Sequence, residues 1–187
     1  SCCSAEQKDC CPAEKEMAIQ LYSARDLIGN AEKYAANHEQ VLKALAEMGY
    51  TSVEAANFAD GKFYGVSPEQ FKADVEAAGM EVVSSHTNRK LSAEELASGD
   101  LTEALAWWDA AIPAHEAAGM RYVVCPSMTI PETLAGLKVT CDYFNEIGRK
   151  CKEAGMSFGF HNHAREFKKV EDVVIMDYML QNTDPEL

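Results

Sequence analysis

Apolar residues recur at the three- and four-residue spacing of an amphipathic helix in three segments of the chain. The stripes are Val41, Leu45 and Met48 in the first segment, Leu101, Leu105, Trp108 and Ile112 in the second, and Leu134, Leu137, Cys141, Phe144, Ile147 and Cys151 in the third. A further helix is predicted after Ser67, which can cap it, with Pro68 at the first helical position and Gln70 three residues after the cap. Pro113 falls inside the second helical pattern and predicts a kink there or two shorter helices.

A glycine follows each helical pattern, and a short run of β-prone residues follows each glycine. Gly49, Gly79, Gly119 and Gly155 stand where the backbone often turns left-handed after a helix. They recur at gaps of 30, 40 and 36 residues, which is about the length of one βα unit. The predicted strands are 17–23, 52–56, 81–86, 121–125 and 157–161, and a last helical stretch is predicted over 170–180.

Strands that alternate with helices predict a parallel sheet, either as an open doubly wound sheet or as a (β/α)8 barrel. The residues after the first strand, Tyr22 to Asp26, lack the G-x-G-x-x-G pattern of a dinucleotide-binding sheet. The length of 187 residues, however, is short of the roughly 250 that a barrel typically needs. Because the sequence stops where another strand would begin, we expect it to hold about the first five βα units.

The most chemically suggestive residues end the fifth predicted strand. The two-residue period of a strand places Gly159, His161 and His163 on one face, and Phe158 and Phe160 on the face that meets the helices. Two histidines at this spacing can converge on one metal ion, and Glu166 could add an oxygen ligand. The structural alternative is a pair of histidines that bind backbone carbonyls.

Other strands end in polar residues that should reach the same edge of the sheet, since active sites of barrels lie at the carboxyl ends of the strands. His86 closes the third strand, Glu54 lies in the second, and Gln20 and Tyr22 share a face of the first. An acid, histidines and hydrogen-bonding groups on one rim suit metal-assisted proton transfer on a polyhydroxylated substrate. His115 lies on an apolar helical stripe and is interpreted as a packing residue.

Composition and charge narrow the choice of partner. A chain with 47% hydrophobic residues can bury a core, and its net charge of -13 repels nucleic acid and anionic membrane surfaces. Scattered basic residues still leave room for a local pocket that binds one small phosphate. No apolar run approaches the roughly 20 residues of a transmembrane span.

Residues 1–16 form a polar leader with four cysteines, Cys2, Cys3, Cys10 and Cys11. We expect a flexible tail or tether; a zinc knot, a disulfide pair or the lipid-anchored end of an exported lipoprotein are the alternatives. This leader favours export, to the periplasm or a lipid anchor, whereas the isolated thiols of the body suit a reducing cytoplasm equally well. Cys141 and Cys151 are expected to be inert core thiols.

The body, 17–187, resembles the sugar phosphate isomerase/epimerase branch of the xylose-isomerase-like TIM barrels, the superfamily that includes AP endonuclease family 2. The resemblance rests on Gln20-Leu21-Tyr22-Ser23 with Arg25-Asp26, Gly49-Tyr50-Thr51-Ser52-Val53-Glu54, Ser84-Ser85-His86, Gly119-Met120-Arg121-Tyr122-Val123-Val124-Cys125-Pro126, His161-Asn162-His163 with Glu166-Phe167, and Thr183-Asp184-Pro185-Glu186-Leu187. It implies a (β/α)8 barrel, of which this chain is the N-terminal portion, and a divalent metal (zinc, manganese or magnesium) in its mouth.

The resemblance also implies a carbohydrate isomerase or epimerase that moves a proton next to a sugar carbonyl. On this basis Glu54, His163 and Glu166 are assigned to catalysis, and His161, His163 and Glu166 to the metal. The residues assigned to a small sugar or sugar-phosphate substrate are Gln20, Tyr22, His86 and Asn162.

Two departures from the family pattern affect these assignments. His161 stands where many relatives end the fifth strand with a metal-binding glutamate, and the ligands of strands six to eight would lie beyond Leu187. A homo-oligomer, or completion of the barrel by a missing segment, would supply the rest of the site. The alternatives are a keto-sugar lyase or dehydratase, a non-catalytic carbohydrate-binding protein, and a DNA-cleaving enzyme, which the negative charge disfavours.

Overall fold

A computed structural model of the protein describes residues 16–161, 166 and 168–186. The cysteine-bearing leader up to residue 15, and the predicted site residues Asn162 and His163, lie outside the described residues. In chain order the elements are β1 (Ala18–Gln20), a 3-10 helix (Leu21–Ala24), α1 (Arg25–Ile28), α2 (Ala31–Glu47), β2 (Ser52–Ala55), β3 (Phe58–Ala59), β4 (Lys62–Phe63), α3 (Pro68–Ala77), β5 (Glu81–His86), α4 (Ala93–Ser98), α5 (Thr102–Ala117), β6 (Tyr122–Cys125), α6 (Leu134–Glu153), β7 (Ser157–Phe160), β8 (Lys169–Val170), β9 (Val173–Val174) and α7 (Ile175–Asn182).

Five strands form one sheet in the order β1-β2-β5-β6-β7, and every neighbouring pair is parallel. The order follows the chain, so each successive strand is added to the same side of the growing sheet. This arrangement confirms the predicted parallel α/β fold, and it brings the carboxyl ends of all five strands to one edge. No helix in the described part of the chain is both long enough and apolar enough to cross a bilayer.

The two faces of the sheet differ in burial. Val53, Val123 and Phe158 lie on the face that the helices cover, and each is at most 3% exposed. The ring of Phe158 packs edge-to-face on that of Trp108 of α5, with 5.9 Å between the ring centroids. The two-residue period predicted for this strand, β7, requires this orientation. Tyr122, on the opposite face, is 51% exposed. The second face is therefore the open one, and it corresponds to the interior side of a barrel wall.

The local signals at the helix ends are confirmed. The Ser67 hydroxyl accepts a hydrogen bond from the Gln70 amide at 3.1 Å, with Pro68 as the first residue of α3. All four glycines predicted to follow helices have positive φ, from 79° to 100°. Each of these left-handed residues stands two or three residues before the first residue of the next strand.

Two expectations about the helices, at Met48 and over 170–180, are wrong, and of the two alternatives predicted at Pro113 the division into two helices is excluded. Met48 is the C-cap of α2 and is 69% exposed, because the buried stripe of that helix runs through Leu42 and Leu45 instead. Pro113 does not divide α5 into two helices: it is exposed, so the carbonyl that loses its amide partner can face water. The helix expected over 170–180 begins only at Ile175, because the residues before it form the antiparallel β8-β9 hairpin.

The first strand is also shorter than predicted. The chain leaves the sheet after Gln20, and Leu21 turns into the core with no exposed surface. Tyr22 lies in the 3-10 helix, so it does not share a strand face with Gln20 as the alternating pattern suggested. Arg25 holds this turn, since its guanidinium donates to the Tyr22 carbonyl at 3.0 Å and lies 4.3 Å above the Tyr22 ring.

Candidate active site

Glu54, Ser84 and His86 meet at the carboxyl ends of β2 and β5, on the open face of the sheet. Glu54 is in register with Gln20 on one side and Ser84 on the other. A bulge between Val53 and Glu54 shifts the register at this point, and His86 follows Ser84 at the two-residue spacing that keeps both side chains on one face. The sheet itself therefore places the carboxylate beside the histidine.

The Glu54 carboxylate is held through both of its oxygens. The Ser84 hydroxyl donates to Oε2 at 2.6 Å, and Nε2 of His86 lies 2.7 Å from Oε1. The contact between His86 Nε2 and Glu54 Oε1 is as short as an ion pair, but the ring N–H does not point straight at the oxygen. Among the described residues, no other donor forms a hydrogen bond with Oε1. The side chains are only 15% exposed for Glu54 and 19% for His86. The pair is thus partly shielded from water, and its open side faces the barrel interior.

The surroundings of Glu54 favour its charged form. Burial is the largest influence and raises the pKa, because a carboxylate loses hydration when it is buried. The contacts with His86 and Ser84, together with positive charge on His86 and His161, act in the opposite direction and hold the pKa below its ordinary value. Glu54 is consequently an anion at neutral pH, ready to stabilise a proton on the neighbouring imidazole.

His161 completes this side of the site. Its backbone amide donates to the Cys125 carbonyl at 2.9 Å, which extends the β6-β7 ladder one residue past β7. Its ring lies 6.3 Å from the ring of His86, centroid to centroid, and the residue is exposed. Two histidines and one carboxylate, from three different strands, thus share a single rim.

A buried polar chain supports His86 from the other side of the sheet. Ser85 Oγ lies 2.9 Å from Thr87 Oγ1, which lies 2.6 Å from Nε2 of His115 on α5. The Nδ1 of His115 is 2.7 Å from the Ala111 carbonyl, so this nitrogen carries the proton and Nε2 accepts from Thr87. Burial lowers the pKa of His115 to about 4, which keeps it neutral. The prediction that His115 is a packing residue is confirmed. The contact of His115 with Thr87, and that of Thr87 with Ser85, fix the two residues that flank His86 in the chain.

The remaining predicted site residues are placed less directly. Gln20 is exposed beside Glu54, Tyr22 lies 56% exposed in the 3-10 helix, and Glu166 is fully buried. Asn162 and His163 lie outside the described residues, so the assignment of His161, His163 and Glu166 to one metal stays a prediction. Among the residues that the structure describes, no three of His, Cys, Asp and Glu are grouped so as to hold a metal ion.

Ser84 is the site residue that the sequence-based assignment missed. Its hydroxyl fixes one oxygen of Glu54, and the residue as a whole is only 4% exposed. The signal was its position two residues before His86 in the same strand, which places both on one face. Serine is common in buried strands, so the spacing alone does not indicate a functional site. It does so only when the neighbouring strand also places a carboxylate opposite the serine.

The fold and the site together define an α/β protein of the TIM-barrel type with polar groups gathered at the carboxyl ends of its parallel strands. The model of the xylose isomerase-like TIM barrel family matches residues 42–184, and the chain belongs to that family. A comparison with curated protein sequences gives no match.

Solved structures agree with this assignment. A sugar phosphate isomerase/epimerase from Parabacteroides distasonis is 30% identical, with a TM-score of 0.77, over 95% of this chain and 64% of that one. A second protein of the same description and organism is 29% identical, with a TM-score of 0.77, over 92% of this chain and 66% of that one. A D-psicose 3-epimerase from Clostridium cellulolyticum, solved with D-tagatose, is 14% identical with a TM-score of 0.51, over 77% of this chain and 51% of that one, and shares the fold alone. The chain thus spans a little less than two thirds of the length of the first two.

Proposed function

We propose that the protein is a carbohydrate isomerase or epimerase that moves a proton on the carbon next to a sugar carbonyl. The observation that carries the proposal is the Glu54-His86 pair, which Ser84 anchors on the open face of the sheet beside His161. Family membership and the name of the 30% identical neighbour support the reaction class.

The pair suits proton transfer better than either residue alone. A carboxylate whose pKa is lowered is a weak base near neutral pH, whereas imidazole is the side chain that most often serves as a general base. In the proposed mechanism His86 takes the proton from the carbon next to the carbonyl, and the negative charge of Glu54 stabilises the imidazolium that forms. Return of that proton to the former carbonyl carbon, while the hydroxyl proton of the first carbon passes to the former carbonyl oxygen, gives isomerisation. Uptake of a proton from water on the opposite face of the first carbon, while His86 releases its proton to solvent, gives epimerisation. The acid/base role first assigned to Glu54 thereby becomes a shared role.

Exposed polar groups beside the pair are suited to bind the sugar. Gln20 lies in register with Glu54 at the end of β1, and the exposed His161 ring lies on the other side of His86. Sugar hydroxyls need donors and acceptors of this kind, because burying an unpaired hydroxyl costs about 1 to 3 kcal/mol. We propose a small sugar or sugar phosphate as the partner, and the net charge of -13 disfavours nucleic acid.

The described residues do not by themselves fit the divalent metal that the family resemblance implies. Glu54 is already engaged by Ser84 and His86, and the described donors include no group of three that could hold a metal ion. A metal at this mouth would need donors from residues outside the described part, such as His163. The proton transfer above is therefore written with the chain's own groups.

The test is the exchange of substrate hydrogen with solvent. The purified protein is incubated in D2O with a panel of ketoses and ketose phosphates, and proton NMR follows loss of the signal from the carbon next to the carbonyl. The expected result is exchange that Glu54→Gln and His86→Asn each reduce by about 100-fold or more, the usual contribution of acid/base groups.

His38→Asn is the matched control, since His38 stacks on Tyr34 in α2 and lies away from the strand ends. It should leave the exchange rate unchanged. Product analysis of the same samples separates isomerisation from lyase or dehydratase chemistry, which begins with the same proton removal. Exchange that survives both active-site substitutions would refute the proposed mechanism.

A further inference from the structure

A cavity opens immediately beyond the carboxyl ends of β1 and β2. Its volume is about 310 Å³, which is at the lower end of the roughly 300 to 1,000 Å³ of small-molecule sites. The residues that line it are Leu21, Tyr22, Arg25, Gly29, Asn30, Lys33, Ala56, Asn57 and Tyr64. None of the chemistry proposed above uses this space.

The lining is positively charged in a strongly acidic protein. It contains two basic side chains, Arg25 and Lys33, and no carboxylate. Neither of them forms an ion pair with a carboxylate in the described part of the chain, although the protein carries 30 acidic and 17 basic residues. A second cavity, of about 630 Å³ between α2 and α3, is lined instead by several carboxylates.

Two of the donors in the smaller cavity, Arg25 and Asn57, are held in position by contacts within the chain. Arg25 is fixed by the Tyr22 carbonyl and ring, which leaves further N–H groups of its guanidinium for another acceptor. Asn57 ties the β2 end of the cavity to the turn between α1 and α2 by donating to the Gly29 carbonyl at 2.9 Å. The 17-residue helix α2 begins at the cavity, next to its cap Asn30, and adds partial positive charge.

The cavity adjoins the candidate active site. Leu21 directly follows Gln20, and Ala56 stands two residues after Glu54, which is at most about 7 Å of extended chain. The amide of Ala56 donates to the Tyr64 hydroxyl at 3.0 Å, so the wall of the cavity is continuous with the strand that carries Glu54. A sugar held at the Glu54-His86 pair could reach it with one end.

We infer that this cavity is a phosphate subsite, in which Arg25 and Lys33 bind a phosphate monoester at the end of the sugar remote from the Glu54-His86 pair. The inference rests on the proposed function and specifies its substrate as a phosphorylated sugar. Arginine suits the role because its planar guanidinium can bind two phosphate oxygens at once, and lysine adds a point charge. The subsite lies on the β1 and β2 side of the rim, away from His161.

The direct test uses inorganic phosphate as the probe, titrated into the protein at fixed ionic strength and followed by 1H-15N NMR. Lys33→Gln and Arg25→Gln should each weaken binding by about three- to tenfold, the range of partly exposed charge-assisted contacts. Lys62→Gln removes the same charge from an exposed lysine of β4 that does not line the cavity, and it should leave affinity within about twofold. The Lys33 side chain forms no hydrogen bond or ion pair in the described part of the chain, so its replacement should leave the fold intact. Equal affinity in all four proteins would overturn the inference.

A second measurement separates this inference from the proposed function. The kcat/KM values are compared for a ketose and its phosphate ester, with the expectation that Lys33→Gln lowers the preference for the ester by about three- to tenfold, whereas Lys62→Gln leaves that preference unchanged. Turnover without any preference for the ester, together with phosphate affinity that does not depend on Lys33, would overturn the subsite while the proposed function stands. Phosphate binding that depends on Lys33 in a protein that exchanges no sugar hydrogen would support the subsite and refute the proposed function.

Discussion

His115 makes the stability of the protein depend on pH in a way that can be calculated. The side chain has no exposed surface and is neutral, with Nδ1 donating to Ala111 and Nε2 accepting from Thr87. The rings of Phe58 and Phe63 pack against it at 4.7 and 5.0 Å. A second proton on this ring would displace the hydrogen bond that Thr87 donates. Acidification therefore lowers the free energy of unfolding through His115.

The sign and size follow from the two pKa values. Burial lowers the pKa of His115 from 6.5 to about 4 in the folded protein, so the unfolded chain binds the proton more tightly. Stability is therefore complete above about pH 6.5, falls as the pH falls, and reaches its lower limit below about pH 4. The full difference corresponds to about 3 kcal/mol, of which about 2 kcal/mol is lost by pH 5. The free energy of unfolding of a typical domain is roughly 5 to 15 kcal/mol, so this loss is a large part of it.

The assay is urea unfolding at pH 7.5 and pH 5.0, followed by the fluorescence of Trp107 and the buried Trp108. His115→Gln removes the titration, and the two proteins share every other ionisable group. The loss of free energy of unfolding between the two pH values should be about 2 kcal/mol larger for the natural protein. The same loss in both proteins would show that His115 does not cause this pH dependence, and an NMR titration of the His115 ring with a midpoint above pH 6 would show it independently.

Three further predictions follow from single contacts. Ser84→Ala removes a hydrogen bond that lowers the pKa of Glu54, so a 13C NMR titration should show that pKa rising. Tyr143→Phe leaves the indole N–H of Trp108 and a backbone carbonyl without their partner hydroxyl, and urea unfolding should show a loss of about 1 to 3 kcal/mol. Burial raises the pKa of the Cys125 thiol to about 12, so peptide mapping should find it unlabelled by maleimide until the protein unfolds.

The parallel sheet could be predicted because each strand repeats the same local signals. Gly79, Gly119 and Gly155 end helices in the left-handed region, and the strand after each begins within three residues. The alternation of residues in β7 correctly predicted that Phe158 and Phe160 face the helices, where both contact Phe144 of α6. These features depend on neighbours in sequence, so a single chain contains the information.

Other elements depend on contacts that a local pattern does not contain. The alternation of Gln20 and Tyr22 suggested a longer strand, but Leu21 fills the core and Arg25 stabilises the turn. The β8-β9 hairpin turns at Glu171 and Asp172, which have φ of 48° and 65° without any glycine to signal the turn.

The candidate site was predicted in part. The spacing of polar residues at strand ends pointed to Glu54, His86 and His161 on one rim, and the structure places their side chains there. The direct pairing of Glu54 with His86, and the part of Ser84 in it, depend on the bulge after Val53, which shifts the register between β2 and β5. No periodicity within either strand encodes that shift.

In the proposed mechanism, Glu54 and His86 act as one unit on the substrate proton. A double-mutant cycle on the rate of solvent hydrogen exchange tests it most directly, with Glu54→Gln, His86→Asn and both together. If the pair acts as a unit, the double variant should be no slower than the slower single variant, within about threefold. If instead the rate of the double variant falls by the product of the two single reductions, Glu54 and His86 act independently and the proposed pair does not exist.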